Sequence, residues 1–137
     1  MTVHDVMTTD VISCPTTATI ADAARLMRDC NIGDVLVVGD DRQLAGIVTD
    51  RDLVVRCLAD GAAADQQVQM ACSSELITVE PVSTVDEAVR LMRECSLRRL
   101  PVVSNGNPVG IVSLGDLAVE RDPDSVLADI SAAEPNS

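Results

Sequence analysis

The chain has 137 residues, enough for one compact domain or two small halves sharing a core. It carries a formal charge of −12, and it has no Phe, Tyr or Trp. That charge repels DNA and RNA, and no aromatic ring is present to stack an unpaired base, so no nucleic-acid partner is expected. No apolar run approaches the roughly 18–20 residues needed to cross a bilayer, so no membrane partner is expected either. Met1-Thr-Val-His-Asp5 has neither the basic nor the apolar part of a secretory signal. A cytoplasmic protein with reduced thiols follows. The five cysteines are Cys14, Cys30, Cys57, Cys72 and Cys95, with no Cys-x-x-Cys and one histidine, His4, so no metal site is read.

In chain order, Val11–Cys14 reads as a short strand before Pro15. Thr19 and Asp22 have capping-box spacing, and Ile20, Ala23, Ala24 and Met27 form the apolar stripe of a helix. Cys30 extends that helix and reads as a small core residue. Val35–Val38 and Gly46–Val48 are strands joined by the turn Gly39–Gln43, and a second helix starts near Thr49.

The same order then repeats. Leu76–Val79 reads as a strand, Thr84 and Glu87 as a cap, and Val85, Ala88, Val89 and Met92 as a stripe with Cys95 beyond it. Leu100–Val103 and Gly110–Val112 flank the turn Ser104–Pro108, and a helix follows Ser113. Residues 23–30 and 88–95 share six of eight residues at an offset of 65. Gly46-Ile-Val-Thr49 and Gly110-Ile-Val-Ser113 match at an offset of 64. Two copies at so long a period describe two half-domains rather than a solenoid. The boundaries read as residues 1–60 for the first repeat, 61–67 for a connector, 68–121 for the second repeat and 122–137 for a C-terminal tail.

Asp5-Val-Met7, the two Arg-Leu-Met helices, Leu100-Pro-Val-Val103, Gly46-Ile-Val-Thr-Asp-Arg-Asp-Leu53 and Gly110-Ile-Val-Ser-Leu-Gly-Asp-Leu117 together resemble a tandem pair of cystathionine-beta-synthase (CBS) domains. The chain is similar to stand-alone bacterial CBS proteins of the stress and hypoxia type. The resemblance implies an α/β (α+β) fold of two β-α-β-β-α repeats, packed through their sheets with pseudo-twofold symmetry. It also implies a homodimer, with an unnamed protein partner as a further output. A regulatory module is implied, sensing AMP, ADP, ATP or S-adenosylmethionine in clefts between the repeats, with no required cofactor. Thr49, Asp52, Ser113 and Asp116 would contact ribose and phosphate, and Arg98 and Arg99 would clamp phosphate. Ile12, Cys14, Val35, Leu36, Ile77, Val79, Leu100 and Pro101 would line adenine.

Elementary chemistry agrees with part of this. A carboxylate can accept from both vicinal ribose hydroxyls, and a helix start favours phosphate. Thr-x-x-Asp and Ser-x-x-Asp are equally plain capping boxes. Arg98-Arg99 stands where the first copy has Gly33-Asp34, so the two sites are expected to differ, with at most one holding a charged nucleotide well. No set of nucleophile, base and orienting group assembles, so an enzyme is not expected. The alternative is a non-catalytic stress or interaction protein with empty clefts, acting through dimerisation or a partner.

Overall fold

A computed structural model describes residues 1–72, 76–121 and 130. Its elements in chain order are α1 (Val3–Val6), β1 (Ser13–Pro15), α2 (Ile20–Cys30), β2 (Asp34–Val38), β3 (Leu44–Thr49), α3 (Asp50–Asp52), α4 (Val85–Cys95), β4 (Arg99–Ser104), β5 (Asn107–Ser113) and α5 (Leu114–Arg121). A π-helix over Leu53–Leu58 continues α3, and a 3₁₀ turn spans Val68–Ala71. The fold is the expected α+β tandem arrangement. The expected C-terminal tail, residues 122–137, lies outside the described residues apart from Ile130.

Two compact units divide the chain at places the sequence repeat does not mark. One comprises residues 11–76, and the other joins residues 1–10 to the chain from residue 77 onward.

In the unit of residues 11–76, the sheet order is β1-β2-β3, with β1 parallel to β2 and β3 antiparallel to it. Its core holds Cys14, Val35, Val37 and Val48 from the strands, with Ile20, Ala23 and Met27 from α2. Full burial of each valine contributes about 1.5–3 kcal/mol. The end of the connector and the residues just after it, 66–71, close this core. Val68 donates to the carbonyl of Ala18 at 2.8 Å, Ile20 donates to that of Gln66 at 2.9 Å, and Val68 and Ala71 are fully buried.

In the other unit, β4 and β5 form a hairpin turned by Asn105-Gly106, both at positive φ. Asn-Gly is the pair that this tight turn favours. Residues 1–10 wrap the same unit. Thr2 bridges Thr84, Thr8 bridges Ile111, and Val3 is fully buried with Val85, Ala88 and Val112.

Several sequence expectations shift. Leu76–Val79 supplies only a single parallel bridge, Val79 to Val102, where a strand was expected. The helix after Thr49 is α for one turn and then π, a ladder that keeps Leu53 and Cys57 toward the core while Val54, Val55 and Leu58 stay exposed. Ala24 is exposed, and Leu26 packs on the core instead. Cys30 and Cys95 are not core residues. The buried stripes end at Met27 and Met92, and the last helical turn runs beyond them to caps in the left-handed region at Asn31 and Ser96.

Thr19 and Asp22 form the full reciprocal box. Thr84 accepts from the Glu87 N–H at 3.1 Å.

Candidate functional site

Side chains alternate along a strand, so the pairing register decides which residues share a face. In the hairpin of β2 and β3, Val35, Val37 and Val48 turn into the core. Asp34 pairs with Thr49, and Leu36 with Ile47, so these four share the opposite face. The hairpin of β4 and β5 repeats the arrangement. Leu100, Val102 and Val112 are core, while Arg99 pairs with Ser113 and Pro101 with Ile111. Each unit therefore carries a row of two apolar residues leading to a polar pair at the point where a strand becomes a helix. Directly opposed residues hold their Cβ atoms about 4.5–5.5 Å apart, so Arg99 and Ser113 are neighbours, as are Asp34 and Thr49.

Each helix start is built the same way. In the first unit, the Asp50 N–H donates to the Gly33 carbonyl at 3.0 Å. The Thr49 N–H donates to Asp52 Oδ2 at 2.9 Å, and the Asp52 N–H donates to Thr49 Oγ1 at 3.1 Å. In the second, the Leu114 N–H donates to the Arg98 carbonyl at 2.8 Å. The Ser113 N–H donates to Asp116 Oδ2 at 3.0 Å, and the Asp116 N–H donates to Ser113 Oγ at 3.1 Å. Both hydroxyl-x-x-acid motifs are thus reciprocal capping boxes. They orient the carboxylates and engage Oδ2, and they leave Oδ1 for a further partner.

That further partner exists in one copy. Arg56 Nε lies 3.5 Å from Asp52 Oδ1. At the corresponding position the second copy has Glu120, and Asp116 Oδ1 has no partner among the described residues. Asp50 also accepts from the Arg51 N–H at 2.8 Å. The second copy has Leu114-Gly115 there, so the residue before Gly115 carries no carboxylate.

The structure brings Thr49 and Asp52 together, and likewise Ser113 and Asp116, with Arg99 opposite Ser113 in the strand register. Arg98 is exposed, and its backbone carbonyl holds the start of α5. Leu36 and Pro101 lie on the junction faces. Cys14, Val35, Val79 and Leu100 lie in the unit cores under their helices. Ile12 precedes β1, half-buried, with its carbonyl accepting from Leu36, and Ile77 packs against the second core. Ile47, Ile111 and Arg56 were missed. Counting outward from each hairpin turn would have found the two isoleucines, and the i,i+4 spacing from Asp52 would have found Arg56.

Cys14 also borders a shallow depression of ≈ 440 Å³ between β1 and α2, rimmed by Asp22, Arg25 and Asp29. These groups are already engaged: Asp22 holds the Thr19 N–H and Arg25, and Asp29 holds Arg28. Burial raises the Cys14 and Cys57 thiols, and it pushes Cys72 up to about 11 with a smaller contribution from Cys14. Such thiols stay protonated and are poor nucleophiles at neutral pH.

Residues 3–58 and 67–122 each match the CBS domain. The chain belongs to the CBS-domain family. The CBS domain-containing protein YhcV of Bacillus subtilis is 41% identical over 119 residues, covering 87% of this chain and 84% of that one. Hypoxic response protein 1 of Mycobacterium tuberculosis is 34% identical over 118 residues, covering 85% and 82%. The crystal structure of Hypoxic Response Protein I, which has two coordinated zinc ions, aligns with a TM-score of 0.79 over 86% of this chain and 97% of that one, at 33% identity. A CBS domain protein from Pyrobaculum aerophilum complexed with AMP aligns with a TM-score of 0.81 over 97% and 100%, at 26% identity.

Among the described residues no three His, Cys, Asp or Glu side chains gather to hold a metal. No helix among them is long and apolar enough to cross a membrane.

Proposed function

We propose that this CBS pair is a regulatory module without catalysis of its own. It binds an adenosine-containing nucleotide at a strand-to-helix junction and passes occupancy to a second copy of itself or to a protein partner in the cytoplasm. One observation carries the reading. Arg99 is the cross-strand partner of Ser113, whose hydroxyl builds the start of α5 together with the Asp116 carboxylate. The carboxylate suits vicinal ribose hydroxyls, and Arg99 with the Gly115 N–H suits a phosphate. Half-buried Ile111 supplies an aliphatic surface for a base, with the fully buried Pro101 beside it in the register. The AMP complex of the Pyrobaculum relative supports the ligand class.

A dye-based thermal shift against AMP, ADP, ATP and S-adenosylmethionine tests this. A ligand at about 100 times its Kd adds roughly 2.7 kcal/mol, a rise of several degrees in a domain this size. The rise should disappear in Asp116→Ala and in Arg99→Ala. No rise with any of the four, or a rise that survives both changes, would overturn the reading.

A second reading is favoured by the exposed Val54, Val55 and Leu58, at 55%, 51% and 73% exposure. Here the junctions stay empty, and this apolar stripe serves dimerisation or a protein partner. Self-association unaffected by nucleotide and lost in Val55→Ser/Leu58→Ser would support it.

A further inference from the structure

The hairpin of β4 and β5 turns on Asn105-Gly106, with φ of 54° and 83°. Asn105 is exposed, and it is the only Asn of the chain that precedes a Gly. The other three precede Ile32, Pro108 and Ser137. We infer that Asn105 is a site of spontaneous covalent modification in the folded protein, passing through a cyclic imide to isoaspartate, and that the change loosens the β4–β5 hairpin.

The reaction needs only the two turn residues and water, at a side chain that is among the thermally labile ones. The Gly106 backbone nitrogen attacks Cγ of the Asn105 amide. A C–N bond forms, the bond from Cγ to the amide nitrogen breaks, and ammonia leaves with the proton given up by the Gly106 N–H. Water then opens the five-membered imide at either carbonyl. One opening gives an aspartate. The other gives an isoaspartate, in which the main chain runs through the former side chain. Nothing is oxidised or reduced. Glycine favours the attack because no Cβ obstructs its nitrogen and its dihedrals are the least restricted. Ile32 is β-branched, Pro108 has no N–H to give up, and Ser137 carries a Cβ. Asn105 has a contact of its own in the folded turn, so the reaction runs through local openings of the turn that leave the rest of the unit folded. Asp60-Gly61 reaches the same imide only by expelling water, with no net change of mass.

The consequence follows from the topology. Among the described residues β4 and β5 are the only strands of their sheet, joined otherwise by single bridges to Val79 and Thr8. Their two-residue turn sets the pairing of Ser104 with Asn107. An isoaspartate adds a backbone carbon to that turn, which then departs from the geometry that Asn-Gly selects. A two-stranded ribbon is marginal alone, so its register depends on the turn. The hairpin of β2 and β3 is spared on both counts. Its turn, Gly39–Gln43, contains no Asn, and β1 pairs along β2.

Ageing the full chain in mildly alkaline buffer, followed by peptide mapping and labelling with an isoaspartyl carboxyl methyltransferase, tests the site. The mass should rise by about one dalton per modified chain, and both the gain and the methyl label should map to residue 105. In the separated isoaspartate form, amide exchange should accelerate over residues 99–113 and stay unchanged over residues 34–49. Asn105→Gly suits the positive φ and removes the amide, so it should neither gain mass nor take label at that position. Asn105→Asp supplies the charge without the extra backbone carbon and should keep its exchange protection. No mass gain at residue 105 in the folded chain would overturn the site, whatever the denatured chain does. Unchanged exchange in the isoaspartate form, or an equal loss of protection in Asn105→Asp, would overturn the loosening.

Discussion

At the scale of single residues, mutation can separate the capping role of Thr49 and Ser113 from the binding role proposed for Ser113. Ser113 and Thr49 each cap a helix start, so changing either to Ala should cost about 1 kcal/mol in urea unfolding. The two variants should then part company. Ser113→Ala should also lose the nucleotide-induced rise in Tm, and Thr49→Ala should keep it, because only Ser113 stands beside Arg99. Equal loss in both would mean that the caps matter to binding only through stability. The cysteines give a second residue-level prediction. Cys30 and Cys95 are exposed, while burial raises Cys14, Cys57 and Cys72. Iodoacetamide at pH 8 should therefore modify two thiols of the native chain rapidly and all five after unfolding, as read by intact mass. Fast loss of Cys72 in the native state would contradict its packing against Gly46, where an added Cβ would stand 3.1 Å from the Cys72 Sγ.

At the scale of elements, α1 belongs to the unit from which it is most distant in sequence. Val3 is fully buried beside Val85 and Val112, and the Thr8 N–H and carbonyl both bond to Ile111. Val3→Ala should thus cost about 2–3 kcal/mol and release amide protection first in residues 77–121, not in the adjoining residues 11–76. Gly110→Ala should act on the same contact, since an added Cβ would stand 2.9 Å from the Thr8 carbonyl oxygen. Hydrogen exchange measured region by region distinguishes the outcomes. Uniform loss across both units would show that they unfold as one.

This wrap explains what the sequence could and could not show. The repeat, the caps at Thr19 and Thr84 and the two hairpins were legible because each is local, set by spacing and by turn residues. Residues 1–10 contain no apolar period long enough to announce a partner, and their bridges run to Thr84 and Ile111, far along the chain. The residues expected to line adenine divided for a related reason. An all-apolar run such as Val35–Val38 hides which residues face the helix, and only the register with β3 assigns Val35 to the core and Leu36 to the other side. Pairing Asp52 with Arg56 needed no tertiary knowledge, only the i,i+4 spacing. The same carboxylate also serves the capping spacing Thr49-x-x-Asp52, which masks the ion pair.

For the whole molecule, charge is the dominant long-range term. Twenty-two acids face ten arginines, and the resulting self-repulsion favours the unfolded chain until salt screens it. Raising NaCl from about 20 to 200 mM shortens the screening length from roughly 20 to 7 Å, so Tm at pH 7 should rise with salt. Acid acts through a different set of groups. Asp5 and Asp22 have their carboxyls lowered below 3.8, chiefly by the N–H groups of Thr2 and Thr19. A depressed folded-state value contributes stability that is complete above the unfolded value and is lost as pH falls through the folded one. Between pH 7 and about 4.5, partial protonation of the other acids relieves repulsion while these two caps stay charged, so low-salt stability should hold or improve. Below 3.8 the caps protonate and stability should fall. At 200 mM NaCl the gain on mild acidification should shrink, because repulsion is already screened, whereas the fall below 3.8 should persist, because a hydrogen-bonded cap is a short-range interaction. A low-salt Tm that declines steadily from pH 7 downward would show that local acid contacts, and not the net charge, govern the stability of this chain.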